Sequence, residues 1–195
     1  MPDWQAPRYL QTGTSRQRQA YEAWHALGLE AVLHAYGPVI TGTIPLNVDV
    51  EGSDLDVCCE VAPEAQAAFE ALVRQHYGHL PTFQVKRFSS QGHAAIVCGF
   101  SYGELPIELF GQALPATQQY AYRHLVVEAA VLETGGEPWR AAVRHLKQQG
   151  LKTEPAFAQL LHLPGDPYEA LLALEGWSAA ELQAHLARCQ LPSVL

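Results

Sequence analysis

The chain has 195 residues, 48% of them apolar and 16% charged, with a net charge of −8 at neutral pH. That size and apolar content suit a folded domain, alone or with an attached helical bundle, and exclude a disordered chain. The acidic balance argues against broad electrostatic binding of DNA or RNA, and no apolar run has the length of a membrane span.

The N-terminal residues carry no signal-peptide hydrophobic region. The four cysteines, at 58, 59, 98 and 189, have neither Cys-x-x-Cys nor zinc-like spacing. Adjacent Cys58 and Cys59 would point to opposite faces of a strand and read as small core residues in a reducing compartment, so the expected location is cytoplasmic.

Residues 15–27 present Ala20, Tyr21, Trp24 and Leu27 at helical spacing, and a second short helix over 29–36 ends at Gly37-Pro38. Val39-Ile40 reads as a short buried strand leading to Gly42. Pro45 to Gly52 forms a connection, with Val48 and Val50 alternating as in a short strand or arm. A strand follows over 55–61, and Pro63 opens a helix over 64–77. Three strands, 82–90, 93–102 and 105–110, are separated by short turns and should be antiparallel neighbours.

From Pro115 onward only helices are expected: 116–134, 137–149, 154–162, 167–175 and 178–189. Thr153, Asp166 and Ser178 are the candidate N-caps. The fold class is therefore α+β. A small mixed β-sheet with flanking helices occupies 1–111, and a C-terminal helical bundle occupies 112–195.

The chemistry concentrates at Asp54-Leu55-Asp56-Val57. On a strand, residues i and i+2 share a face, so Asp54 and Asp56 project together while Leu55 and Val57 are buried. Adjacent carboxylates repel unless a cation lies between them, and hard divalent ions favour such oxygen donors with phosphates completing the shell. The tripeptide alone also fits an ordinary turn into a strand. Glu108, between Ile107 and Leu109, faces away from its apolar neighbours and reaches the same ion if its strand lies beside 55–61.

Seven acids and no Lys or Arg fall between Asp49 and Glu70, whereas four bases and no acid fall between Trp139 and Lys152. Arg140, Arg144 and Lys147 form one helical stripe, with Trp139, Val143 and Leu146 forming the apolar one beside it. The basic stripe, with Lys152 beyond it, suits either the phosphates of a nucleotide or a solvated face. Arg123 and His124, next to Tyr120 and Tyr122, are a second candidate group.

Gly42-Thr43, followed after ten residues by Asp54-Leu55-Asp56, resembles the signature of the DNA polymerase beta-like nucleotidyltransferase superfamily. Over roughly residues 10–175 the text, including GTIPLNVDVEGSDLDV, ELFGQ, QQYAYRH and LKTEPAFAQLL, is most similar to one bacterial family of that superfamily with no settled activity. The resemblance implies Mg²⁺ or Mn²⁺, two ions, held by Asp54, Asp56 and a third carboxylate at Glu108, where Asp is usual. Gly42, Thr43 and Ser53 would meet a nucleoside triphosphate, with Arg123, Arg144, Lys147 and Lys152 as further phosphate contacts. The implied reaction is nucleotidyl transfer to an unknown hydroxyl acceptor. A non-catalytic nucleotide or metabolite binder and a metal-dependent phosphohydrolase stay open on the same residues, and neither acceptor nor oligomeric state is encoded legibly.

Overall fold

The computed structural model describes residues 2–192, so positions 1 and 193–195 of the two expected segments lie outside the described residues. In chain order the regular elements begin with α1 (Ser15–Ala26), α2 (Leu29–Leu33), β1 (Val39–Thr41), α3 (Thr43–Leu46), β2 (Leu55–Glu60) and α4 (Gln66–Tyr77). They continue with β3 (Gln84–Ser90), β4 (His93–Tyr102), β5 (Leu105–Gln112), α5 (Tyr120–Gln148), α6 (Thr153–Leu160), α7 (Pro167–Leu172) and α8 (Ala179–Leu186). No helix among the described residues is long and apolar enough to cross a membrane.

Two compact units result. One comprises Pro2–Pro45 and Gly52–Tyr122, and the other comprises Leu46–Glu51 with the chain from Arg123 onward.

The first unit is built on a five-stranded sheet of order β1-β2-β5-β4-β3. Strands β2 and β5 are parallel, and the remaining pairs are antiparallel. The three strands expected to be antiparallel neighbours are so, and the Glu108 strand does lie beside the Asp56 strand. Strand alternation sends Leu55, Val57, Ile96, Cys98, Ile107 and Leu109 to one face, where they join Trp24 and Phe69 in the main core. Helix α4 buries Phe69, Val73 and Tyr77 at four-residue spacing, and Tyr77 stacks on Phe100 with ring centroids 4.9 Å apart. Trp24 and Tyr36 are packing residues, Tyr36 meeting Phe69 edge-on at 4.9 Å.

Helix α1 starts at a capping box in which the Thr14 side chain accepts from Gln17 N–H and the Gln17 side chain accepts from Thr14 N–H. The Gln17 amide also donates to the Ile44 and Pro45 carbonyls at 2.9 and 3.0 Å, fastening the helix to the turn after β1. That turn is α3, where the sequence suggested only a connection. Asn47 then takes a left-handed φ of 55°, a conformation Asn tolerates after a helix end.

In the second unit, α5 is two helical pieces joined at Gly136, whose φ of 70° and ψ of −159° lie outside the helical region. Pro138 falls in the first turn of the second piece. Trp139, Val143 and Leu146 are buried, as their spacing implied. Asp166 caps α7 through the Tyr168 and Glu169 N–H groups, and Ser178 caps α8 in a capping box with Glu181. For α6 the N-cap is Lys152 rather than the expected Thr153, which is already helical. Thr153 therefore supplies no cap because the helix begins one residue earlier.

Glu128 lies buried in α5, and its Oε1 has no hydrogen-bond partner. Burial raises its carboxyl well above the ordinary range; the nearby Glu154 adds to the rise and Lys147 opposes it. His124, 3.7 Å from Glu154, and Tyr168, which also feels Glu154, are further titratable groups of this cluster. An acid whose pKa is raised on folding favours the folded state fully below the unfolded value. That contribution is lost as pH climbs toward the folded value. Glu128→Gln should therefore melt higher than wild type at neutral pH. The gap should widen above about pH 4.5, at up to about 1.4 kcal/mol per pH unit. Thermal melts from pH 4 to 8 test this, and parallel curves for the two proteins would contradict it.

Candidate functional site

The sheet face opposite the main core carries the polar residues. Across its strands the register aligns Thr41, Asp56, Glu108, Gly99 and Gln84 in one row. The next row is Val39, Cys58, Phe110, Val97 and Lys86. Ala116 and the partly buried Tyr122 pack on the β1–β2–β5 part of this second row. One row is thus mostly polar, while its neighbour is apolar up to the exposed Lys86 on β3 and partly covered.

Asp56 and Glu108 are half-buried and directly opposite on neighbouring strands. Neighbouring strands lie about 4.8 Å apart, so the two carboxylates start from adjacent backbone positions. Their charges are felt by Cys58 on the same face. Its thiol is pushed up to about 12, chiefly by burial, with Asp56 and Glu108 adding to the rise and the Thr41 hydroxyl opposing it. Thr41 and Cys58 are in contact, Oγ1 to Sγ, at 3.5 Å.

Gly42 follows β1 with a φ of +74°, and a Cβ at this position would overlap the Asp56 carboxylate. Both facts demand glycine: the left-handed backbone and the absence of space. The sequence paired Gly42 with the acidic strand by spacing, and the structure shows the backbone and carboxylate in direct apposition.

Thr43 is the first residue of α3. Ser53 lies in the loop before β2, where its carbonyl accepts from Arg16 Nη2 at 2.5 Å. Asp54, also half-buried, precedes β2 by one residue. Among the described residues no group of three or more His, Cys, Asp or Glu side chains is arranged to hold a metal ion. The carboxylates set in register are Asp56 and Glu108.

The basic residues expected to meet phosphate belong to the helical unit, where several have protein partners. Arg123 forms a two-pronged pair with Glu175, at 2.8 and 2.6 Å, and this pair holds the Glu175 carboxyl below its ordinary range. Arg144 donates to the Asn47 carbonyl at 2.6 Å and also pairs with Glu137. Lys147 lies near the buried Glu128, and Lys152 is exposed at the start of α6.

Sequence reasoning missed Arg16, Thr41, Gln84 and Lys86. The alternation in 82–90 already put Gln84 and Lys86 on one face. What it lacked was the register that carries this face to Glu108.

A family model described as Domain of unknown function (DUF4269) matches residues 22–174. The chain belongs to this family. No curated protein matches the DUF4269 chain by sequence. Among solved structures it is similar to the GLD-2/RNP-8 complex, with 12% identity and a TM-score of 0.51, covering 80% of this chain and 63% of that one. The polymerase core of TRAMP, a RNA surveillance complex, gives 10% identity and 0.49, covering 92% and 58%. Cid1 poly(U) polymerase bound to MgATP gives 12% and 0.47, covering 80% and 47%. The DUF4269 chain thus spans about half to two-thirds of the length of these structures. The likeness is one of fold.

Three substitutions test these contacts, one in the sheet unit and two in the helical unit. Gly42→Ala should destabilise the chain by about 1–3 kcal/mol, since strained backbone and crowding coincide. At this chain length that lowers the melting temperature by roughly 2–4 °C per kcal/mol. An unchanged melt would show that Gly42 is not held against Asp56.

Arg144→Gln should cost about 1.5–3 kcal/mol, because it removes a charged donor from the Asn47 carbonyl. Glu137, whose side chain is 64% exposed, should tolerate Gln within about 0.5 kcal/mol. Equal losses in the two variants would shift the role of Arg144 from the carbonyl to the ion pair.

Proposed function

We propose that the DUF4269 chain is a divalent-metal-dependent nucleotidyltransferase that moves a nucleotidyl group from a nucleoside triphosphate to a hydroxyl acceptor. The observation that carries this reading is the register of Asp56 opposite Glu108, with the Gly42 backbone against Asp56.

The donor set fits Mg²⁺ or Mn²⁺. Mg²⁺ is commonly bound by one or two carboxylates plus substrate phosphates rather than by a complete protein cage. A two-carboxylate row is consistent with that habit, and Asp54, two residues upstream, is the further candidate ligand. When bound, such an ion supplies charge neutralisation for the phosphates and polarises the reacting oxygens.

The chain's own contribution is positioning. Gly42 presents backbone without a side chain, Thr43 offers a hydroxyl to the triphosphate, and Ser53 borders the same acidic loop. In the transfer, the acceptor oxygen bonds to the α-phosphorus as the bond to the bridging oxygen breaks. Pyrophosphate leaves, and the hydroxyl proton passes to water. Phosphoryl chemistry of this kind needs no protein nucleophile, which suits a site whose nearest thiol, Cys58, is held protonated.

The test is to incubate the protein with each of the four nucleoside triphosphates and Mg²⁺ or Mn²⁺, and to measure pyrophosphate, phosphate and self-labelling. Pyrophosphate release is expected, with Asp56→Asn and Glu108→Gln each lowering it at least about 100-fold, the scale of one lost electrostatic contact to the reacting phosphate. The ion-dependent rise in melting temperature should vanish in the double variant. Phosphate without pyrophosphate would assign a phosphohydrolase. No product, with identical ion responses of wild type and variant, would leave a binding module.

A further inference from the structure

The polar row does not end at Glu108. Gln84, Lys86, Phe88, Val97, Glu108 and Phe110 line a pocket of about 230 Å³ on the same sheet face, entirely within the sheet unit. Small-molecule sites usually run to about 300–1,000 Å³, so this one suits a small ligand that keeps part of itself in solvent.

Its walls differ chemically. Phe88 is 47% exposed, unusual for so large an apolar side chain, and its ring centroid is 6.2 Å from that of the half-buried Phe110. The two rings are tilted by 56° rather than stacked on each other. Lys86 and Gln84 on β3 face the pocket from the opposite side to Glu108 on β5. Gly99, which pairs with both Gln84 and Glu108, brings no side chain into the space between them. Strand β3 is the last in the sheet, so the pocket lies toward an edge rather than under a further strand.

An aromatic platform, a cation and an amide beside a carboxylate suit one kind of ligand: a flat ring carrying an anionic group and a hydroxyl. Aromatic side chains stack on any nucleobase, and a Lys ammonium binds phosphate as a point charge.

We infer that this pocket is the acceptor subsite, and that the acceptor is a nucleoside monophosphate-sized molecule. Its ring lies on Phe88, its phosphate is held by Lys86, and its hydroxyl is directed to Glu108. The inference rests on the transferase reading for the word acceptor. The binding it describes does not.

The experiment uses the full chain without metal or triphosphate and titrates AMP and adenosine by calorimetry or NMR. Wild type should bind AMP about ten-fold more tightly than adenosine, the worth of one charge-assisted phosphate contact. Lys86→Gln should erase that preference and leave adenosine binding unchanged, whereas Lys86→Arg should keep it. Phe88→Ala should weaken both ligands about ten-fold or more, in the range of one lost stacking contact. Circular dichroism checks that each variant is folded, and Phe88→Leu replaces Phe88→Ala if that variant is not.

Failure of wild type to bind AMP, or variants that bind as wild type does, would overturn the proposal. So would binding of single-stranded tetraadenylate in place of AMP. AMP binding that depends on Lys86 and Phe88 in a chain that releases no pyrophosphate would keep the pocket and remove only the transfer chemistry.

Discussion

The parallel pairing of β2 with β5 is the constraint on which the sheet unit depends. Parallel neighbours cannot be joined by a tight turn, so the chain between Glu60 and Leu105 travels through α4 and the β3–β4 hairpin before it returns. The register it reaches does two things at once. It places Leu55 beside Ile107 and Val57 beside Leu109 in the core, and Asp56 beside Glu108 on the opposite face. A slip of one residue would bury carboxylates and expose the apolar set. Core packing thus protects the acidic pair: the burial that stabilises one face fixes the geometry of the other.

What could be read from the sequence follows from how local each cause is. The Asp-Leu-Asp-Val alternation, the isolated Glu108 and the caps at Asp166 and Ser178 are short-range signals, and the structure has each element where they place it. The α3 turn was less legible, because Gln17, 27 and 28 residues away, holds its carbonyls from α1. Likewise, nothing near Arg123 in the sequence announces Glu175, 52 residues later. Charge stripes are legible as stripes, but their partners are chosen by tertiary contacts. The β3 side chains were legible as a face and came into line with Glu108 only through a register spanning β3, β4 and β5.

The two units use charge differently. In the helical unit, charged groups tie elements together: Arg144 anchors the 46–51 segment, Arg123 binds Glu175, and Glu128 is buried beside Lys147 and Glu154. In the sheet unit, Glu70 serves structure by pairing with Arg74 and Arg87 at 2.8 and 2.9 Å on the outside of α4. Asp56 and Glu108 share a sheet face with a buried hydroxyl, a buried thiol and a glycine.

The buried thiols of the sheet have a consequence of their own. Cys58 and Cys98 are each pushed up to about 12, chiefly by burial, and Cys59 higher still. The thiolate is the reactive form, so all three are nearly inert while the sheet is closed. Cys58 lies on the acidic face, Cys59 on the core face of the same strand, and Cys98 on β4. Alkylation of Cys59 and Cys98 therefore follows the opening of the main core, and alkylation of Cys58 the opening of the other face. The two faces of the sheet thus have thiols of their own to report local opening, and Cys58 stands two residues from Asp56.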